Sequence, residues 1–312
     1  MSVDAPLTPP DLAVTRTVRH PLRRLLGDRW AMAGAVTALF FLVVAVAAPL
    51  LCAIEGQDPF TYDLSAVSDS GAPIGVGGGI SAEHWFGVEP MTGRDLFAIV
   101  VYGARTSFLV GIGATVLSVL IGVVSGVTAG FFGGWYDRVL SRIIDVLLGF
   151  PWLIFVIALG AIAPASFPKQ LLVILVIGLF GWPSIARVVR GQTMALKRRT
   201  FVVAATALGA PPGHLLRRQL LPNLWSTVIV YTTMMIPGMI GAEAALSFLG
   251  VGVPPPTPAW GRSIGDAISW VQTDPMFLVF PGMALFLTTL AFNLLGDGLR
   301  DALDPRTRGV RR

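Results

Sequence analysis

Residues 106–131, TSFLVGIGATVLSVLIGVVSGVTAGF, form an uninterrupted stretch without a charged side chain. An α-helix rises about 1.5 Å per residue, so a stretch of this length can cross the ~30 Å hydrocarbon core of a bilayer. A soluble domain would have to bury every face of such a helix. The stretch therefore predicts a transmembrane helix.

Five further apolar stretches of comparable length recur along the chain. Of the 312 residues, 54% are hydrophobic and 13% are charged, about half the charged share of an ordinary soluble domain. The predicted fold class is an all-α polytopic membrane protein with six transmembrane helices. Gly181-Trp182-Pro183 interrupts the fourth stretch, so five helices with one re-entrant segment stay open as an alternative. The six stretches are Trp30–Ile54, Thr106–Phe131, Ile143–Ala163, Leu171–Arg187, Leu224–Gly250 and Met276–Leu295.

The distribution of positive charge predicts the orientation. Most of the 23 lysines and arginines fall in the N-terminal arm, around Arg138 and Arg142, between Arg187 and Arg218, and in the C-terminal tail. Cytoplasmic connections are enriched in these residues. We therefore expect both termini and residues 187–222 to be cytoplasmic. The other side carries only Arg94, Arg105, Lys169 and Arg262.

This orientation divides the chain into segments. The first apolar stretch follows a 29-residue arm, which is long for a signal peptide, so we expect a retained helix. Within the core we distinguish a cytoplasmic segment, 200–222, and an external loop, 251–275. The expected units are a cytoplasmic arm with an interfacial basic helix (1–29), a first transmembrane helix (30–54), an extracytoplasmic loop (55–103), a core (104–297) and a cytoplasmic tail (298–312).

Several function classes lack a signature. The sequence pI is near 10, but no nucleic-acid-binding module accompanies the charge. Cys52 is the single cysteine, and the three histidines His20, His84 and His214 are far apart, so we expect no metal site. Neither Lys169 nor Lys197 lies in a phosphate-binding G-x4-G-K-[ST] context. No serine nucleophile has a nearby base. We expect no catalytic residues.

The segment 201–223, FVVAATALGAPPGHLLRRQLLPN, is too polar to span a membrane and too regular for a loose loop. Small and apolar residues predict two short helices, and Gly209-Ala210-Pro211-Pro212-Gly213 separates them. Ala204-Ala205, Gly209 and Leu221-Pro222 resemble the E-A-A-x3-G-x9-I-x-L-P loop of permeases of ATP-binding-cassette (ABC) importers. Val203 stands where that family usually has Glu, and Gln219 where it has Ile.

Other motifs resemble the DppC/OppC-type subunit of dipeptide and oligopeptide importers. They are His84-Trp85-Phe86-Gly87, Gly93-Arg94-Asp95-Leu96-Phe97, Tyr102-Gly103-Ala104-Arg105, the stretch Glu243–Gly250, the run Pro255–Gly261 and the C-terminal Asn293–Pro305. They cover nearly the whole chain in the order of that family. The resemblance implies a type I permease fold in a bacterial inner membrane, and import of peptides or of related solutes such as haem, glutathione or nickel chelates.

The resemblance also implies partners and residue roles. The partners would be a second permease, two ATPase subunits that hold ATP-Mg, and an extracytoplasmic solute-binding protein; the chain itself would bind no cofactor and no nucleic acid. The residues expected at the ATPase contact are Val203, Ala204, Ala205, Gly209, Ala210, His214, Leu221 and Pro222. Those expected in the loops that dock the binding protein are Trp85, Arg94, Asp95, Pro256 and Trp260.

Two acidic residues, Asp145 and Glu243, fall inside predicted spans. Intramembrane charges are costly and often functional. Asp145 lies one turn from Arg142 and could pair with it, and Glu243 could hydrogen-bond a neighbouring helix. Alternatively, both could relay protons in a proton-coupled secondary transporter. A membrane scaffold is a further alternative. Neither alternative explains the segment from Ala204 to Pro222.

Overall fold

The structure is a computed structural model that describes residues 24–162, 164 and 166–303. The expected interfacial helix of the arm, with Arg16, Arg19 and Arg23, and the tail from Asp304 onward lie outside the described residues. The described part is helical and contains no β-strand, only two isolated bridges, between Val67 and Pro73 and between Val88 and Asp95. The all-α prediction is confirmed.

Apart from the three-residue helical turn Pro212–His214, nine α-helices define the architecture of the described residues. They are α1 (Arg29–Glu55), α2 (Leu96–Phe132), α3 (Gly134–Gly149), α4 (Trp152–Ile162), α5 (Lys169–Lys197), α6 (Thr200–Ala207), α7 (Leu221–Phe248), α8 (Trp260–Ala267) and α9 (Met276–Leu303). A turn, Pro212–His214, and a π-helical stretch, Leu215–Leu220, run directly into α7.

In the part of the chain that the structure describes, five helical segments are long and apolar enough to cross a membrane: α1, α2, α5, α9 and the continuous segment Pro212–Phe248. The sixth predicted span is bent, because α3 and α4 meet at 80°. Pro151 has no backbone N–H and forces Phe150 into an extended conformation (φ −82°, ψ 135°), which ends α3. The prediction of six transmembrane helices holds only if α3 and α4 together form one span.

The fourth stretch forms one continuous helix, so the alternative of a re-entrant segment at Gly181-Trp182-Pro183 is wrong. Helix α5 runs from Lys169 to Lys197, with Pro183 buried inside it. Neighbouring helices can accommodate a proline in this way, as the main prediction of six helices assumed. The sharp bend lies instead in the third predicted stretch, between α3 and α4.

Helices α2 and α5 form the most extensive contact in the bundle, and glycines set their distance. Gly122, Gly126 and Gly130 recur every fourth residue and share one face of α2. A Cβ on Gly126 would lie 2.6 Å from the carbonyl oxygen of Ala186, and one on Gly130 would lie 2.8 Å from that of Arg190. Small residues at this spacing let membrane helices approach closely.

The remaining helices enclose this pair. Helices α1, α2, α7, α8 and α9 share one apolar core that includes Phe41, Leu96, Ile240, Trp260 and Phe277. A second core joins α2, α4, α5 and α7. Helix α3 packs on α5 through Ile144, Trp182 and Ala186. The long loop 56–95 lies at one end of the bundle, which we call the loop end. Helix α6 and the segment up to residue 220 form a hairpin at the other end, which we call the hairpin end.

The glycine contact gives the first prediction. Gly126→Ala should lower the stability of the chain in detergent by about 1–3 kcal/mol, because the new methyl group must push against backbone. The control is Gly191→Ala in α5, where a Cβ meets no atom within 4 Å. Thermal unfolding followed by circular dichroism measures both. Equal melting temperatures would contradict the assigned packing.

Candidate functional site at the two ends of the bundle

At the hairpin end, a helix-ending motif shapes the turn after α6. The N–H of Ala210 donates to the carbonyl of Ala205, and the N–H of Gly209 donates to that of Thr206, both at 3.0 Å. This pair of bonds is a Schellman motif, which needs a left-handed residue. Gly209 has φ +82° and fills that position. Position 209 therefore favours glycine because of its left-handed backbone conformation, in addition to the small size of the residue.

The chain then returns into the membrane without a break. Pro212 starts a short turn, and the N–H of Leu221 donates to the carbonyl of Leu216, five residues earlier. The π-helical stretch Leu215–Leu220 therefore joins α7 as one rod. We call residues 200–220 the hairpin.

The hairpin has a buried face and an exposed apolar face. Val202, Leu215 and Leu220 are buried against Phe131 at the end of α2. On the other face, Val203 is 54% exposed and Leu208 is 88% exposed, and Phe201 lies beside them. Of the residues predicted at the ATPase contact, Val203, Ala204, Gly209, His214 and Pro222 are exposed, and Ala205, Ala210 and Leu221 are half-buried. The exposed Leu208 was not among the residues predicted at the ATPase contact, because the family motif does not name it.

Ionic contacts hold the hairpin end to the core. The Lys197 ammonium donates to the carbonyl oxygen of Phe131 at 2.6 Å and lies 5.4 Å from the centre of its ring. Arg190 pairs with Asp137 through Nε and Nη2, which each donate to one carboxylate oxygen. The ends of α2, α3 and α5 are thus joined directly beneath the hairpin.

Asp145 does not pair with Arg142, and that expectation is wrong. Its carboxylate accepts a hydrogen bond of 2.6 Å from Arg187 of α5. Both side chains are about half exposed. Because α3 crosses α5 at this point, the partner one helix away is closer than the one on the same helix.

Glu243 lies in the interior of the bundle. Its carboxylate accepts a hydrogen bond from Ser107 of α2 at 3.0 Å and one from Ser247 at 2.7 Å. The Ser247 hydroxyl in turn accepts the N–H of Val253, at the start of the loop 251–258. Glu243 therefore ties α2 and α7 to that loop, as expected for an interhelical hydrogen bond.

Arg94 is the centre of the loop end. Its guanidinium forms two hydrogen bonds with the Glu89 carboxylate, at 2.7 and 3.0 Å. It also donates to the carbonyl oxygens of Pro59 and Pro256, at 3.3 and 3.0 Å. Arg94 and Glu89 are both buried. One side chain thus fastens two stretches of loop 56–95 to the loop 251–258. Glu89 was not singled out from the sequence, where it is one of many acidic residues in a long loop.

Asp95, Trp85 and Trp260 anchor the same region. One Asp95 oxygen accepts the N–H of Ala98 and caps α2, and the other contacts His84 Nδ1 at 2.9 Å. The N–H of Trp85 donates to Glu55 at the end of α1. The fully buried Trp260 donates its indole N–H to the carbonyl of Val100 at 2.8 Å.

Burial corrects part of the predicted docking surface. Arg94, Asp95 and Trp260 are buried, so they support the surface from inside and offer no side chain to a partner. Trp85 and Pro256 are exposed, and for them docking stays a prediction. The glycine-rich stretch 75–79 adds an apolar tip at Val76, which is 92% exposed.

These features describe a membrane-spanning transport subunit: a helical bundle with an exposed apolar hairpin at one end and a fastened loop surface at the other. Residues 118–309 match the family described as binding-protein-dependent transport system inner membrane component. The glutathione transport system permease proteins GsiD of Escherichia coli O6:K15:H31 (strain 536 / UPEC) and of Shigella boydii serotype 4 (strain Sb227) are each 41% identical over 305 residues, which is 97% of this chain and 95% of theirs.

The chain therefore belongs to the family of binding-protein-dependent permeases, as its motifs predicted. It is a multi-pass membrane permease subunit of an ABC transporter and works within a complex. This family assignment sets aside the two alternative functions, a proton-coupled secondary transporter and a membrane scaffold.

The Arg94 contact gives the second prediction. Glu89→Ala should destabilise loop 56–95 by about 3–5 kcal/mol, because it leaves a buried guanidinium unpaired. The double variant Arg94→Met/Glu89→Leu should recover much of that loss. Hydrogen exchange across residues 56–95 measures the effect. Protection in Glu89→Ala equal to that of the wild type would contradict the assigned role.

Asp274, just before α9, gives a third prediction. It is 1% exposed, and burial raises the pKa of its carboxyl above the ordinary 3.8, although the N–H groups of Phe277 and Met276 act in the opposite direction. A raised pKa means that the fold favours the protonated form. The stabilising contribution of the Asp274 carboxyl is therefore present at low pH and is lost as the pH rises through the raised pKa.

Asp274→Asn should therefore melt above the wild type at neutral pH, and the difference should shrink as pH falls toward 4. The matched control is Asp69→Asn, an exposed carboxylate of the same loop end. Melting temperatures from about pH 4 to 8 test this. A difference between Asp274→Asn and wild type that grows on acidification would be the opposite result.

Proposed function

We propose that this chain forms half of the membrane path of an ATP-driven importer of short peptides, and that its hairpin receives the movement of an ATPase subunit. The observation that carries this proposal is the exposed apolar face of the hairpin. Exposed apolar patches on an otherwise polar end of a protein mark sites of interaction. Val203, Ala204 and Leu208 form such a face beside the left-handed turn at Gly209.

The construction of the hairpin suits it to transmit force. Its inner face is packed on Phe131, and its second half continues into α7 as one segment, Pro212–Phe248. At about 1.5 Å per residue this rod is about 55 Å long. Displacement of the hairpin by a partner therefore moves α7 and, through Glu243, the contact with α2.

The charge distribution supports a cytoplasmic position for the hairpin end. Arginines and lysines cluster between Arg187 and Arg218, where the positive-inside rule places them on the cytoplasmic side. Both termini would then be cytoplasmic, and the loop end would face the outside, where Trp85 and Pro256 are available to a solute-binding protein. The bilayer in question would be a bacterial inner membrane.

The remaining subunits follow from this division of roles. A second, related permease would complete the path, and two ATPase subunits would bind ATP-Mg. The chain contains no G-x4-G-K-[ST] sequence, so we assign ATP binding and hydrolysis to the partners and no cofactor to this chain. Since the two GsiD proteins are named for glutathione transport, we propose glutathione or another short peptide as the solute.

The turn at Gly209 gives the fourth prediction. Gly209→Val should strongly reduce glutathione uptake per ATP hydrolysed, because a β-branched residue resists the left-handed conformation and distorts the hairpin. Gly209→Asn tolerates that conformation and should retain more coupling. The measurement is ATP hydrolysis and uptake by the complete transporter in proteoliposomes.

Gly213→Ala is the control, since a Cβ there meets no atom within 4 Å and Gly213 has no positive φ. It should couple like the wild type. Wild-type coupling in Gly209→Val would count against the hairpin as the ATPase contact. A wild-type complex without ATP-dependent uptake would refute the proposed function itself.

A further inference from the structure

A cavity of about 290 Å³ lies at the loop end, between α2, the start of α5 and the external loop 251–258. Ligand cavities commonly measure about 300–1,000 Å³. This one lies just below that range, so it has room for one end of a small peptide and not for the whole molecule. The polar groups at its wall are Tyr102, Arg105, Thr106, Gln170 and Thr257, and Phe60 contributes an aromatic ring.

Arg105 is the charged group of this cavity, and it has no acidic partner. Two other arginines of the loop end are in ion pairs: Arg94 binds Glu89, and Arg262 lies 3.7 Å from Asp266. Across residues 24–162, 164 and 166–303, Arg105 forms no ion pair and no side-chain hydrogen bond. It lies nine residues into α2, about 14 Å along the helix axis. Arg105 directly precedes the uncharged stretch 106–131, so it lies at the entrance to the membrane-spanning part of the helix.

The chemistry of the cavity favours a ligand that carries a carboxylate group. A guanidinium offers parallel N–H donors that match the two oxygens of a carboxylate. The hydroxyls of Tyr102 and Thr257 and the amide of Gln170 can bond a neighbouring peptide group. No acidic side chain lines the cavity, so nothing there would repel an anion. Phe60 and Leu109 add apolar surface.

The wall of the cavity is held in place from behind. Arg94 donates to the carbonyl of Pro256, the residue before Thr257. On the far side of α2, Gly103 packs against Trp260, whose side chain bonds Val100. The ring of Phe60 packs edge-on against Tyr102, with centroids 6.0 Å apart. Tyr102 and Thr257 are therefore held in place before a ligand arrives.

From this geometry we propose that Arg105 binds a carboxylate of the peptide as it leaves the binding protein and enters the membrane path. The proposal rests on the proposed function and assigns a specificity-determining residue within it. The permease would thereby select for acidic or free-carboxylate peptides, in addition to any selection made by the binding protein.

Binding can be tested without ATP by thiol labelling. In a Cys52→Ala background, Leu109→Cys places a reporter thiol at the cavity wall of the assembled transporter. We expect S-methylglutathione to slow maleimide labelling of this thiol, and its dimethyl ester, which lacks free carboxylates, not to do so. Arg105→Gln should abolish the protection, and Arg105→Lys should retain part of it because the charge remains but the paired donors are lost.

The matched control is Arg262→Gln, which removes an ion-paired arginine of the same end and should leave the protection intact. In uptake assays Arg105→Gln should raise the KM for glutathione about tenfold or more, as expected for the loss of a charged hydrogen bond, and Arg262→Gln should not. Unchanged KM in Arg105→Gln would overturn the proposal.

Three other results would also overturn it: equal protection by the ester, protection that persists in Arg105→Gln, and an unreactive reporter thiol, since a solute path must be open. Protection that depends on replacing phosphatidylcholine with phosphatidylglycerol would assign Arg105 to a lipid phosphate instead. The maleimide labelling experiment needs no ATP hydrolysis. If S-methylglutathione gives no protection while ATP-driven uptake is normal, the carboxylate site is refuted and the proposed function is not.

Discussion

The close contact of α2 with α5 is the constraint on which the rest of the structure depends. Three glycines in register allow the two backbones to approach within reach of carbonyl oxygens, and this pair then serves as the frame for the other helices. The hairpin packs on the end of α2 at Phe131, and Lys197 of α5 holds the same point. At the opposite end, α2 begins at the cap formed by Asp95, directly after Arg94.

The two ends of the bundle are built on different principles. The loop end is fastened by buried charge and by hydrogen bonds to backbone carbonyls, which hold long loops in one arrangement. The hairpin end exposes apolar surface and is supported by packing from one side only. Glu243 joins the two systems, because it lies on α7, which continues from the hairpin, and it contacts α2 through Ser107 and loop 251–258 through Ser247.

Sequence patterns predicted the helical class and the hairpin well, because apolar length and helix-ending chemistry are local signals. They failed where the partner is distant in the chain. Asp145 was matched to Arg142, one turn away, although Arg187 is nearer in space. Arg94 was assigned to a surface because its partners Glu89, Pro59 and Pro256 meet only after folding. Pro183 is accommodated within α5, as the prediction of six helices assumed, whereas the sharp bend at Pro151, which follows Gly149-Phe150, was not predicted.

The π-helical stretch Leu215–Leu220 has a consequence for how the hairpin is aimed. A π-turn holds about one residue more than an α-turn within one full rotation of the chain. A one-residue deletion within Leu215–Leu220 that restored α-helical bonding would therefore leave Val203 and Leu208 facing nearly the same way. A one-residue deletion in the α-helical part of α7 would instead turn the hairpin by about 100° around the helix axis. The π-helical stretch is thus the place in this rod where the chain can gain or lose one residue without changing the direction of the hairpin.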